Sequence, residues 1–128
     1  MGCVRRSMPL PHESLVAWQR ADELFLRLHT LSRTFPADER YPLTSQMRRA
    51  AYSVPANIVE GFGRYGARER AHFLEVSLSS LAEVSYCIHI ARRLDYIDEK
   101  TKDDLDTELR RISAPLRGLM QRYVTRKM

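Results

Sequence analysis

Six consecutive residues, Gly61-Phe62-Gly63-Arg64-Tyr65-Gly66, spell the GxGxxG pattern of dinucleotide-binding turns. That chemistry needs a strand before the glycines, so that the backbone N–H groups opening the next helix meet a pyrophosphate. Here a helical spacing precedes them, and strand-like alternation occurs nowhere in the chain, so the dinucleotide reading fails. Two other readings remain. The glycines end one helix and supply the turn into the next. Alternatively, the free N–H groups of that next helix hold a phosphate beside Arg64, Arg68 and Arg70.

The remaining reactive side chains do not assemble a site. The four histidines, His12, His29, His72 and His89, show no i,i+4 metal pairing. Cys87 and His89 are two apart on a helix and point about 200° apart, so they cannot share an ion. The bundle-type Glu-x-x-His pair is missing as well. Cys3 and Cys87 form no CxxC motif and fit two free thiols in a reducing compartment, the cytoplasm. Ser77, Ser79 and Ser80 lie mid-helix without a nucleophile elbow, where small residues permit close helix approach. Asp22-Glu23 and Asp103-Asp104 read as solvated faces. No metal, no cofactor and no catalysis are expected.

Arginine is the feature left over. The 128 residues carry 21 basic and 16 acidic side chains, a net charge of +5, and 18 of the basic ones are arginine. The guanidinium fork grips phosphate in two-point fashion and stacks on bases, so this composition favours a nucleic-acid partner. A GC-rich coding sequence would produce the same bias. The longest apolar run, Leu15-Val16-Ala17-Trp18, is far too short for a membrane span, and no membrane partner is expected.

The elements that must position these residues are four helices. The first is expected over residues 14–35, with Ser14 as N-cap and Pro36 as the break. The second runs over 43–62, where Leu43, Met47, Ala50, Ala51, Val54, Ile58 and Phe62 share one arc. Pro55 inside it predicts a kink near Ala51 rather than two helices. The third covers 67–94. The fourth covers 101–126, with Leu105, Leu109, Ile112, Leu116, Leu119 and Tyr123 forming a narrow seam suited to bundle packing. Pro115 predicts a second kink. Charge is segregated along this segment: Asp95–Glu108 holds seven acids and two lysines, whereas residues 110–128 hold six bases and no acid. Acids early and bases late suit the helix dipole. The organisation expected is a flexible segment over 1–13, with Met8 a candidate initiator, and an all-α, up-and-down four-helix bundle over 14–126. Met1-Gly2-Cys3 is not a myristoylation signal, because Ser7 falls one place too late.

Two stripes on these helices could be surfaces. Gln46, Arg49, Ser53, Asn57, Glu60 and Arg64 fall within about 80° of arc beside the apolar face of the second helix. They form either an internal hydrogen-bonded network, with Glu75 or Glu83 as partners, or a subunit or nucleotide-contact strip. On the third helix, Leu74, Ser77, Leu78, Leu81, Val84, Ile88 and Ala91 form one apolar stripe. Val76, Ser80, Cys87, Ile90 and Leu94 form a second. Four helices do not easily wrap one of their own, so the second stripe is expected at a subunit interface.

The segment Leu43 to Arg64, with Arg48-Arg49-Ala50-Ala51-Tyr52-Ser53-Val54-Pro55-Ala56-Asn57-Ile58 at its centre, closely resembles the central motif of the 23S rRNA intervening-sequence proteins. Val16-Ala17-Trp18-Gln19 resembles that family's opening. Phe73-Leu74, Ser79-Ser80-Leu81-Ala82-Glu83 and Arg93-Leu94-Asp95-Tyr96-Ile97 resemble its third helix and the following turn. The likeness spans 15–97 and is looser over the fourth helix. It implies a bundle of closed ring symmetry, commonly a homopentamer, similar to the basic accessory proteins of diversity-generating retroelements. It brings no catalytic residues. This chain departs in its arginine bias and in the acidic run before its fourth helix.

These readings converge on a homo-oligomeric bundle that binds nucleic acid, RNA before DNA. The candidate phosphate contacts are Arg48, Arg64, Arg68 and Arg70, with Arg117, Arg122, Arg126 and Lys127 as a second patch. The alternative is an interaction scaffold for another protein, such as a polymerase or reverse transcriptase.

Overall fold

A computed structural model describes residues 8–125. Four helices follow one another: α1 (Val16–Leu31), α2 (Ser45–Phe62), α3 (Ala67–Arg93) and α4 (Glu99–Thr125). Each packs on its sequence neighbour, and α1 closes the ring against α4. The architecture is the expected all-α four-helix bundle. Its axis is filled by Leu24 and Leu28 of α1, Met47, Val54 and Ile58 of α2, Leu74, Val84 and Ile88 of α3, and Leu105, Ile112 and Leu116 of α4. All of these sit at the 3.6-residue spacing from which the helices were read.

The helix ends depart from expectation in three places. The N-cap of α1 falls on Leu15, one residue after Ser14, and no side chain caps it. Gln19 instead donates from Nε2 to the Glu13 carbonyl, 2.8 Å away, and His12 is buried edge-on to the Trp18 ring at 4.7 Å. This turn belongs to the segment expected to be flexible, whose residues 1–7 lie outside the described residues. At its far end α1 stops at Leu31 rather than Phe35, because the chain tightens into a 3-10 turn over Ser32–Thr34. Between Pro36 and α2 a further 3-10 turn (Ala37–Glu39) and a π turn (Arg40–Thr44) replace the plain loop. α2 then continues through the buried Pro55 as one helix, although that residue cannot donate to Ala51.

The α2–α3 turn uses no left-handed glycine; no described glycine has positive φ. Gly61 serves a different purpose. A Cβ there would lie 3.1 Å from Phe73 Cβ and 3.3 Å from the Arg70 carbonyl, so its absence lets α3 approach α2 closely. Among the described residues the one left-handed residue is Asp95, at φ 62°. Its N–H donates to the Arg92 carbonyl at 3.0 Å, and the Tyr96 N–H donates to Ala91 at 2.8 Å, the pattern of a Schellman cap. Asp98 then opens α4: its carboxylate accepts the Thr101 N–H at 2.8 Å, and the Thr101 side-chain bond first, with this N–H second, holds its pKa below the usual carboxylate value. That contribution is present above the unfolded pKa and is lost as pH falls through the folded one.

Asp95 is where a backbone preference is violated most directly. Asp95→Gly should raise stability by about 1 kcal/mol, since glycine carries no left-handed penalty. The ion pair lost with it is exposed and worth little. A thermal melt should move up by a few degrees, roughly the shift expected per kcal/mol in a domain this size. An unchanged or lower melting temperature would mean the aspartate side chain offsets its own strain.

Candidate nucleic-acid interface

The arginines expected to meet phosphate divide into those the fold uses and those it leaves free. Arg48 is half-buried. Its Nε donates to Ser32 Oγ at 2.7 Å, and Nη2 donates to the His29 carbonyl at 3.3 Å, so it closes the C-terminus of α1. Arg70 is tied more tightly. Nε donates to the Gly61 carbonyl at 3.1 Å and Nη2 to the Arg64 carbonyl at 2.7 Å, while Nη1 lies 3.5 Å from Tyr123 Oη. Its guanidinium also sits over the rings of Phe62, at 4.6 Å, and Tyr123, at 5.3 Å. One cation therefore joins the end of α2, the start of α3 and the last turns of α4.

Arg64 pairs with Glu60 at 2.7 Å and lies 5.0 Å over the Phe73 ring. The expected cluster at the start of α3 is thus one structural clamp, one ion-paired arginine, and Arg68, which is exposed with no partner among the described residues. In the second expected patch, Arg117 is exposed and equally free. Arg122 is exposed but does have partners. Arg126 and Lys127 lie outside the described residues.

The polar stripe of α2 is bonded into the bundle. Gln46 Nε2 donates to Glu83 Oε2, and Ser53 Oγ meets Ser80 Oγ at 2.7 Å. Asn57 donates to both the carbonyl and the hydroxyl of Ser53 at 2.8 Å. Of the stripe, Arg49 alone is exposed without a partner. The internal-network reading is the one the geometry supports, with Glu83 as the acid.

The second stripe of α3 needs a correction. Ser80 and Cys87 are only 9% and 3% exposed within this single chain. Val76 and Ile90 are half-buried, and Leu94 is the exposed member. The premise that four helices would leave this stripe uncovered therefore fails for its two central residues, which are buried within the one chain, Ser80 against Ser53 of α2. Burial, with the Glu83 carboxylate second, pushes the Cys87 thiol above its usual pKa and favours its protonated form.

Two surface features escaped the pattern reading. Leu26 (53% exposed) and Tyr52 (61%) stand on the outer side of α1 and α2, where Tyr52 meets Phe25 edge-on at 5.9 Å. Val59 lies two turns from Tyr52 on that side. On α3, Tyr86 and His89 stack in the open with ring centres 6.0 Å apart and planes 24° apart. Their i,i+3 spacing is a legible signal for such a pair. No three metal-ligating side chains converge among the described residues. Among the described residues no helix is long and apolar enough to cross a membrane.

The model of the family described as 23S rRNA-intervening sequence protein matches residues 13–118. The chain belongs to that family. A crystal structure of a protein of unknown function from the S23 ribosomal protein family of Bacteroides thetaiotaomicron superposes with a TM-score of 0.77 at 19% identity. It covers 83% of this chain, and this chain covers 96% of it. At that identity the likeness speaks for the fold. Among proteins with curated descriptions, none matches the chain. For this family member, then, the bundle is secure, and the site must be argued from its own side chains.

The clamp makes one such argument testable. Arg70→Gln should destabilise the protein by about 2–3 kcal/mol, the range for a charged donor to buried carbonyls with an aromatic contact. Arg68→Gln, which removes the same charge two residues away, should leave the melting temperature nearly unchanged. Equal melting temperatures for the two variants would show that Arg70 holds nothing together.

Proposed function

We propose that this protein is a non-enzymatic, homo-oligomeric, cytoplasmic bundle that binds nucleic acid, RNA before DNA, through the arginines its fold does not consume. The observation that carries the reading is the sorting of the guanidinium groups. Arg48 and Arg70 are spent on carbonyls, whereas Arg49, Arg68, Arg110 and Arg117 are exposed without a partner among the described residues. Unpaired surface arginines can meet phosphate without first breaking an internal bond, and each phosphate they neutralise releases cations condensed on the nucleic acid. The family's description, which names 23S rRNA, agrees with RNA as the partner.

Self-association has exposed apolar side chains to use on the outer side of α1 and α2: Leu26, and Tyr52 and Val59 two turns apart. A closed ring, with the pentamer the resemblance implies, would repeat each arginine surface around one particle and multiply weak contacts. The same apolar side also supports a second reading, in which it receives a protein partner such as a polymerase or reverse transcriptase.

Fluorescence anisotropy with structured RNA, single-stranded DNA and duplex DNA across a salt series tests the first reading. Micromolar or tighter binding is expected, with a log–log salt slope of about −0.7 to −0.9 per phosphate engaged. Absence of binding at low salt would remove the nucleic-acid role and leave the scaffold. Light scattering tests assembly independently: a particle several times 14.9 kDa is expected. A monodisperse monomer would end the homo-oligomer proposal.

A further inference from the structure

Between α3 and α4 runs a continuous groove. Its floor is Leu78, Leu81 and Leu109, and the small exposed residues Ala82 and Ser85 keep one wall low. The α4 wall carries Arg110 and Arg117, seven residues apart and therefore about 10 Å along the helix. The stacked pair Tyr86 and His89 stands at the end nearer the start of α4. Lys102 and Asp106 line that end too, but they pair with each other, so their charges offset. Arg110 and Arg117 are left as unbalanced charge along the groove.

We infer that this groove is a binding track for single-stranded nucleic acid, with phosphates on Arg110 and Arg117 and an unstacked base on the Tyr86–His89 platform. The inference rests on the nucleic-acid reading above and gives it a place. Charge alone would suit any polyanion; the exposed aromatic pair narrows the class. Tyr86 is 64% exposed, and a ring so presented gains its stacking energy from a base with a free π-face. Bases inside a duplex are already stacked. Flexible single strands also fit a groove with an apolar floor, because sugars and base edges can cover Leu109 while the phosphates stay at the rim. The cleft on the opposite wall of α4 is a poor competitor. It is lined by Glu23 and Glu108 as well as Arg20 and Arg111, and its acids would repel phosphate.

The full-length protein would be titrated against a short, unstructured, fluorescein-labelled RNA and against a hairpin of the same base composition. The single strand should bind more tightly than the hairpin. Tyr86→Ala should weaken single-strand binding about tenfold with the salt slope unchanged, because stacking releases no counterion. Tyr86→Phe should restore it, since the π-face is kept. Arg110→Gln with Arg117→Gln should flatten the slope by about 1.4, two contacts at the single-strand value. Arg33→Gln, a single charge change outside the groove, should shift the slope little. If the wild type binds and the tyrosine and double-arginine variants bind as it does, the groove is wrong while the nucleic-acid role stands. If the wild type binds neither probe, both fall.

Discussion

The close seam between α2 and α3 is the constraint on which the rest of the structure depends. It runs antiparallel, pairing Gln46 with Glu83, Ser53 with Ser80, Val54 with Ser77, and Gly61 with Phe73 and Arg70. Small residues at these positions bring the two backbones together, and every hydroxyl so buried finds a partner. Ser77 Oγ, fully buried, donates to the Val54 carbonyl at 2.7 Å. A buried hydroxyl without that bond would cost more than the close packing gains. The seam therefore works only because Ser53 and Gly61 of α2 fall level with Ser80 and with Phe73 and Arg70 of α3, and Ser77 meets the Val54 carbonyl. It also removes Ser77 and Ser80 from any surface chemistry and ties the exposed Glu83 to Gln46.

Where the seam ends, Arg70 takes over. The α2 C-terminus leaves carbonyls without helical donors, and the guanidinium of α3 supplies donors to Gly61 and Arg64. Its contacts with Phe62 and Tyr123 carry the same junction to α4. Arg48 plays the matching part at the C-terminus of α1. Arginine suits both places because its donors are fixed in a plane and its charge complements the negative end of a helix dipole. An arginine-rich composition thus splits between internal capping and surface charge, and the two cannot be separated by counting.

The four helices were legible because burial obeys one period, and Leu74, Val84, Ile88, Leu105 and Ile112 all sit where that period puts them. The α2 polar stripe was legible for the same reason, since a polar row beside a core edge must be bonded, whereas the choice of Glu83 over Glu75 as its acid came only with the helix crossing. The fate of Arg48 and Arg70 was not. Their partners lie up to 53 residues away, at Tyr123 for Arg70, and only the crossing of the helices decides which carbonyls they reach. The second α3 stripe misled because Ser80 and Cys87 stand only about 20–40° beyond the edge of the first, close enough for both to be buried within the one chain. Ser14 failed as a cap because the turn before α1 is held otherwise: Gln19, inside α1, reaches back to the Glu13 carbonyl, and His12 packs on Trp18.

The same sorting explains where the field of the molecule is concentrated. In the first half of α4, Lys100 pairs with Asp104, Lys102 with Asp106, and Glu108 with Arg27 of α1, so much of the acidic run is offset locally. Beyond Glu108 the helix carries no acid, and Arg110 and Arg117 face the α3 groove unpaired. The helix dipole accounts for bases in the last turn of α4, but its effect fades within about one turn and does not reach Arg110. Solvation alone places no demand on which side of the helix these charges stand. Their alignment beside a low wall of Ala82 and Ser85, with exposed rings at one end, is what an electrostatic track for a flexible polyanion requires, and neither bundle packing nor helix capping asks for it.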